Sequence, residues 1–136
     1  MNTKLNTIKV GSRDLPIKCD NYVLAQIQEE FGSLDAFENK MLGYEILVDE
    51  DGRALRDDDG MRRRKRVEPS VKAVTRFLYL CVEEGLDIEG KEPVNEKDLI
   101  RTAGSPFTLI VPLYAEFKKA FEDKNEKKAQ PSRSRK

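Results

Sequence analysis

The sequence predicts an α+β domain: an N-terminal β-hairpin and a third strand, with about five helices packed around a central helix at residues 71–84. Three observations carry this. The first twenty residues alternate apolar and polar, later segments repeat apolar residues at three-and-four spacing, and glycine, proline or capping residues separate them. A chain of 136 residues buries about two-thirds of the surface it exposes when unfolded, enough for a single core.

The opening segment alternates through Leu5, Ile8 and Val10, then through Leu15, Ile17 and Cys19, across the turn Gly11-Ser12-Arg13-Asp14. That is a β-hairpin. Asp20 and Asn21 offer N-cap oxygens ahead of a helix whose inner face is Leu24, Ile27 and Phe31, and Gly32 ends it. Ser33 caps a second helix carrying Leu34, Phe37 and Met41, which runs to Gly43. Tyr44 to Val48 is rich in strand formers and closes on the acidic turn Asp49-Glu50-Asp51-Gly52.

Residues 49–66 hold seven basic and six acidic side chains and no periodic apolar face, so a charged flexible loop is expected, set on a hairpin that returns near Val67. Pro69 suits a first helical turn, and Val71, Val74, Phe77, Leu78, Cys81 and Val82 form a broad stripe down to Gly85. Asn95 caps a short helix over 96–102, and Ser105-Pro106 opens the last one, expected to end near Phe121. Pro112 predicts a kink or break near Thr108. No internal repeat is read. Residues 1–122 form the expected domain, and 123–136 are expected to be a disordered charged tail.

Composition bears on function. Histidine and tryptophan are absent, which removes the commonest general base and metal ligand. Serine-hydrolase, P-loop and dinucleotide motifs are missing. The aspartate turns miss calcium-loop spacing, because counting back from Gly52 or Gly60 puts Leu47 or Leu55 at the first ligand position. A non-enzyme without cofactor or metal is expected. Cys19 and Cys81 read as separate buried thiols, and no apolar run is long enough to span a membrane, so a cytoplasmic protein is expected.

Two segments remain as candidate contacts. Basic and acidic residues balance at 25 each, but outside residues 49–66 and 122–136 the chain carries a net charge of −4, which disfavours phosphate binding by the body. Any electrostatic contact falls to Arg62, Arg63, Arg64, Lys65 and Arg66, with the basic tail. The last helix has a main stripe of Phe107, Ile110, Val111, Tyr114, Phe117 and Phe121 and a second apolar set, Leu109 and Leu113. A helix apolar on two sides either lies between two layers or meets a partner.

The stretches IKVGSRDLPIKCDNYVLAQIQEEFGSLDAF, KAVTRFLYLCVEEG and EKDLIRTAGSPFTLIVPLYAEFKKAF together resemble the tail assembly chaperones of long-tailed bacteriophages and prophages, particularly of Gram-positive hosts. The resemblance spans most of residues 4–122, by architecture and loose pattern, and leaves the loop at 49–66 unmatched. It implies a non-enzymatic, self-associating protein that binds the tape measure protein and helps recruit tail tube subunits. It also implies a second, longer form made by a ribosomal frameshift, with Lys127-Lys128 as the expected site. Leu109, Leu113 and Tyr114 are the expected partner-binding residues, with Phe31 and Phe37 in the core. The rival reading is a nucleic-acid-associated protein acting through Arg62 to Arg66 and the tail. A third is a β-grasp-like adaptor that binds peptides along a sheet edge.

Overall fold

Strands β1 (Asn6–Val10) and β2 (Arg13–Ile17) pair antiparallel with Ile8 opposite Leu15, and their alternation turns Ile8, Val10, Leu15 and Ile17 inward. The computed structural model describes the backbone of residues 4–134 and the side chains of residues 4–122. Helix α1 (Asn21–Phe31) starts where Asp20 Oδ1 accepts from the amides of Tyr22 and Val23, and α2 (Leu34–Leu42) starts where Ser33 Oγ accepts from Ala36 N. Both caps are those the sequence predicts.

β3 (Tyr44–Ile46) pairs antiparallel with β4 (Arg64–Arg66), forming a second two-stranded sheet. Helix α3 (Val71–Ile88) follows, then α4 (Glu96–Thr102), a 3-10 turn (Pro106–Leu109) and α5 (Ile110–Ser134). The fold is therefore mixed α+β, with its N-terminal hairpin and five α-helices where the sequence puts them.

α3 is the central element. It packs against β2, α1, α2, α4, the 3-10 turn and α5, and its Val74, Phe77, Leu78, Cys81 and Val82 have no exposed surface. Phe37 of α2 stands over it, its ring centroid 5.0 Å from Phe77, 5.3 Å from Phe31 and 5.5 Å from Phe117. These tilted rings join four helices in one core. At the rim, Arg76 donates to Glu30 at 2.7 and 2.8 Å and to Glu96 at 2.9 Å, linking α3 to α1 and α4. That guanidinium holds the Glu30 carboxyl below its ordinary range.

Three sequence expectations change. α3 does not stop at Gly85 but runs to Ile88, because Gly85 serves as a contact and not as a terminus. A Cβ there would lie 2.5 Å from the Pro16 carbonyl oxygen and 2.9 Å from Ile17 N, so only glycine lets the hairpin backbone seat against the helix. Gly85→Ala is expected to cost about 1 to 3 kcal/mol despite alanine's better helix propensity. Urea unfolding measures it, and an unchanged or raised midpoint would show that the hairpin yields freely.

Next, residues 47–63 contain an internal repeat. LVDEDGRA (47–54) is followed by LRDDDGMR (55–62), and each octad makes the same turn. Asp49 Oδ1 accepts from the amides of Asp51 and Arg53, as Asp57 Oδ1 does from Asp59 and Met61. Bridges Val48–Ala54 and Arg56–Arg62 close the two leaves. Their bases join in a ring: Leu47 N donates to Arg63 O, Leu55 N to Leu47 O, and Arg63 N to Leu55 O, at 2.7 to 2.9 Å. Where a flexible loop is expected, the β3–β4 hairpin instead branches into a three-way junction of backbone hydrogen bonds.

Finally, the backbone of α5 continues to Ser134, past the end near Phe121 that the apolar spacing predicts, through a run of Glu, Lys and Ala that favours helix. The expectation about 123–136 otherwise lies outside the residues whose side chains are described. The proline effect falls where expected: residues 106–109 form the tighter helix, and Pro112 occupies the first turn of α5, where its missing N–H has no intrahelical partner to lose.

Candidate interaction surface

α5 settles which of its two apolar faces is core. Leu113 has no exposed surface and Leu109 retains 5%, and with Phe117 they pack into the interior. Leu109 and Leu113 are therefore not available to a partner, contrary to expectation. Their face points inward because Glu116, one turn on, fastens it there: its carboxylate accepts from Asn6 Nδ2 at 2.9 Å and from Cys19 N at 3.3 Å. Glu116 is buried, and sequence reasoning passed over it. Its signal is a lone carboxylate among Leu113, Phe117 and Ala120 on one helical face.

The opposite flank faces out. Val111 is 78% exposed, Phe107 41% and Phe121 36%, although all three belong to the stripe read as the main one. Tyr114, also expected at the contact, is half-buried on this flank. Its hydroxyl donates to Glu38 at 2.6 Å, and partial burial followed by that bond pushes its pKa up to about 12. Lys118 sits 5.4 Å from the Tyr114 ring centroid. Beside the C-terminal end of this flank, Leu34 of α2 and Phe117 and Phe121 of α5 line an open, largely apolar cavity of about 460 Å³, rimmed by Asp35, Glu38, Lys118 and Glu122.

The basic run is engaged within the chain. Arg62 makes a two-pronged bond to Asp35 of α2 at 2.9 and 3.0 Å, and Lys65 pairs with Glu45 at 3.7 Å. Arg64 lies 3.8 Å over the Tyr44 ring, and Arg66 donates to the Tyr44 hydroxyl at 3.1 Å. Among the described residues Arg64 makes only this ring contact, and Arg63 makes neither a side-chain hydrogen bond, an ion pair nor an aromatic contact. The fold thus sets Tyr44 against two arginines, an aromatic that the linear sequence does not place within the run.

The two cysteines, read as separate, meet in the core. Burial first, and then a hydrogen bond to Cys19, push the Cys81 thiol well above its ordinary value, which keeps it a thiol. Among the described residues no cluster of histidine, cysteine and carboxylate side chains could hold a metal ion, and no helix is long and apolar enough to cross a membrane.

Glu84 is shifted the other way from Glu30. A hydrogen bond with Asp20, then partial burial and the charges of Asp20, Asp87 and Glu83, raise Glu84 to about 7. The folded state thus holds this proton more tightly than the unfolded chain. The resulting stability is fully present below pH 4.5, the ordinary value, and is lost as pH rises through 7. Glu84→Gln is expected to stabilise the protein by about 1 to 2 kcal/mol at pH 8, after discounting for solvent screening, and to change little at pH 5. Thermal melts at both values test it, and an equal effect at both would remove Glu84 as the titrating group.

No protein-family model, curated protein or solved structure matches this chain.

Proposed function

We propose that the protein is a non-enzymatic tail assembly chaperone of a long-tailed phage or prophage, acting in the host cytoplasm. In this role it binds the tape measure protein and helps recruit tail tube subunits. The observation that carries this reading is the outward apolar flank of α5, where Phe107, Val111 and Phe121 stand exposed beside an apolar cavity. Such a surface on a small domain suits protein contacts. The resemblance across residues 4–122 supplies the kind of partner. Chaperoning a long helical client needs many weak contacts, and a self-associating coat multiplies them through effective concentration.

The test is a pull-down of tagged protein from phage-producing host lysate, with and without nuclease. Recovery of a long, helix-rich tail protein that withstands nuclease is the expected result, and loss of that protein in Val111→Asp would place the contact on α5. The rival, nucleic-acid binding, draws on Tyr44 lying against Arg64 and Arg66. Recovery that collapses with nuclease and falls steeply with salt would favour it and overturn the chaperone reading.

A further inference from the structure

The β3–β4 sheet has an unpaired edge. Leu47 N donates to Arg63 O and Val67 N to Gly43 O, and because an antiparallel ladder alternates, Glu45 and Lys65 form the bonded pair between them. The N–H and C=O groups of Arg64 and Arg66 therefore point away from β3. This edge begins just past Arg63, whose own amide donates to Leu55 O. Beyond that point no backbone group among the described residues accepts from the amides of Arg64 and Arg66, and all of β4 is exposed.

Every side chain from Arg63 to Arg66 is cationic. On one face Arg64 lies over the Tyr44 ring and Arg66 donates to its hydroxyl, so both guanidinium groups are held while the N–H donors of Arg64 stay unused. Arg63 and Lys65 belong to the other face. Only Lys65 has a carboxylate partner, the exposed Glu45 at 3.7 Å, and Arg63, Arg64 and Arg66 form no ion pair among the described residues. Glu68 is the single carboxylate within residues 63–68.

We infer that this edge binds a short, extended acidic segment of a partner protein, which adds as a third strand beside β4. The backbone of that segment pairs with the amides and carbonyls of Arg64 and Arg66, and its carboxylates meet Arg63, Arg64 and Arg66. Little ordering is needed on docking, since the stack on Tyr44 and the bond from Arg62 to Asp35 already fix this stretch. The cations also select the partner. A basic strand, or the same edge of a second copy, is repelled, while an acidic chain is attracted. The edge lies on a different element from the outer flank of α5, so this contact stands or falls independently of the proposed function.

Fluorescence anisotropy of a labelled eight-residue peptide of alternating threonine and glutamate, titrated with the full chain, provides the test. The peptide is expected to bind, and lysine in place of its glutamates to abolish binding. Proline in place of its threonines keeps the charge but prevents strand pairing, and is expected to weaken binding at least tenfold. In the protein, Arg64→Ala removes the guanidinium alone, whereas Arg64→Pro removes the outward N–H as well. The proline variant is expected to bind at least tenfold more weakly than the alanine variant, with β3–β4 kept because that N–H makes no bond within the sheet. Hydrogen exchange of the unsubstituted chain reads the same contact: saturating acidic peptide is expected to slow the amides of Arg64 and Arg66. An acidic peptide that does not bind, a proline peptide that binds equally well, Arg64→Pro matching Arg64→Ala, or amides that are not slowed would each overturn the inference. Tighter binding of a single-stranded oligothymidine of equal charge would also overturn it and assign the arginines to nucleic acid.

Discussion

Leu113→Asp is expected to unfold the domain, while Val111→Asp, two residues away, leaves it folded. Leu113 has no exposed surface, so the substitution removes a packed side chain and puts a carboxylate into an interior whose buried, described residues include no cation and already hold the Glu116 carboxylate. Creating an unpaired buried charge and losing the leucine contacts together cost about 4 kcal/mol or more, a large part of the roughly 5 to 15 kcal/mol that holds a domain. At position 111 the same carboxylate stays in water. Circular dichroism melts of the two variants decide the matter. A cooperative Leu113→Asp transition within a few degrees of the wild type would return this face to the surface and restore Leu109 and Leu113 as contacts.

Phe37→Ala is expected to lower stability by about 3 to 5 kcal/mol. The ring is fully buried and touches Phe31, Phe77 and Phe117, which come from α1, α3 and α5. Because these neighbours are anchored on separate helices, they cannot all collapse into the vacated space, and a cavity persists. Melting should fall by about 10 to 20 °C for a chain of this size. Denaturant unfolding would contradict the role of Phe37 as the joint between helices if the loss were under 1 kcal/mol.

How far the surface can be read from sequence is clearest on α5. Spacing shows that Leu109 and Leu113 share one face and that Phe107, Val111 and Tyr114 share another. It assigns neither to the interior, since both are apolar. The choice comes from the neighbours of α5: the hairpin supplies Asn6 and the Cys19 amide, which draw Glu116 and hence the Leu113 face inward. α2 brings Glu38 to Tyr114 on the other side. Hydrophobicity ranks a side chain's preference for burial, and packing decides which preferences are met.

The junction at 47–63 escaped for a different reason. Its order lies in backbone hydrogen bonds and aspartate turns that recur every eight residues, and it has almost no buried apolar surface. Searching for apolar periodicity passes over it, although the repeated D-x-D-G is visible in the sequence.

Local chemistry determined the hairpin, the caps at Asp20, Ser33 and Asn95, the helices that follow them and the break ahead of Pro112, because each depends on a few neighbouring residues. Only the tertiary structure decided that Gly85 continues a helix, that Cys19 meets Cys81, that Arg62 is held by Asp35, and that α5 turns Leu113 inward and Val111 outward. Each of these joins residues more than twenty positions apart or chooses between equally apolar faces, and such choices belong to the assembled core.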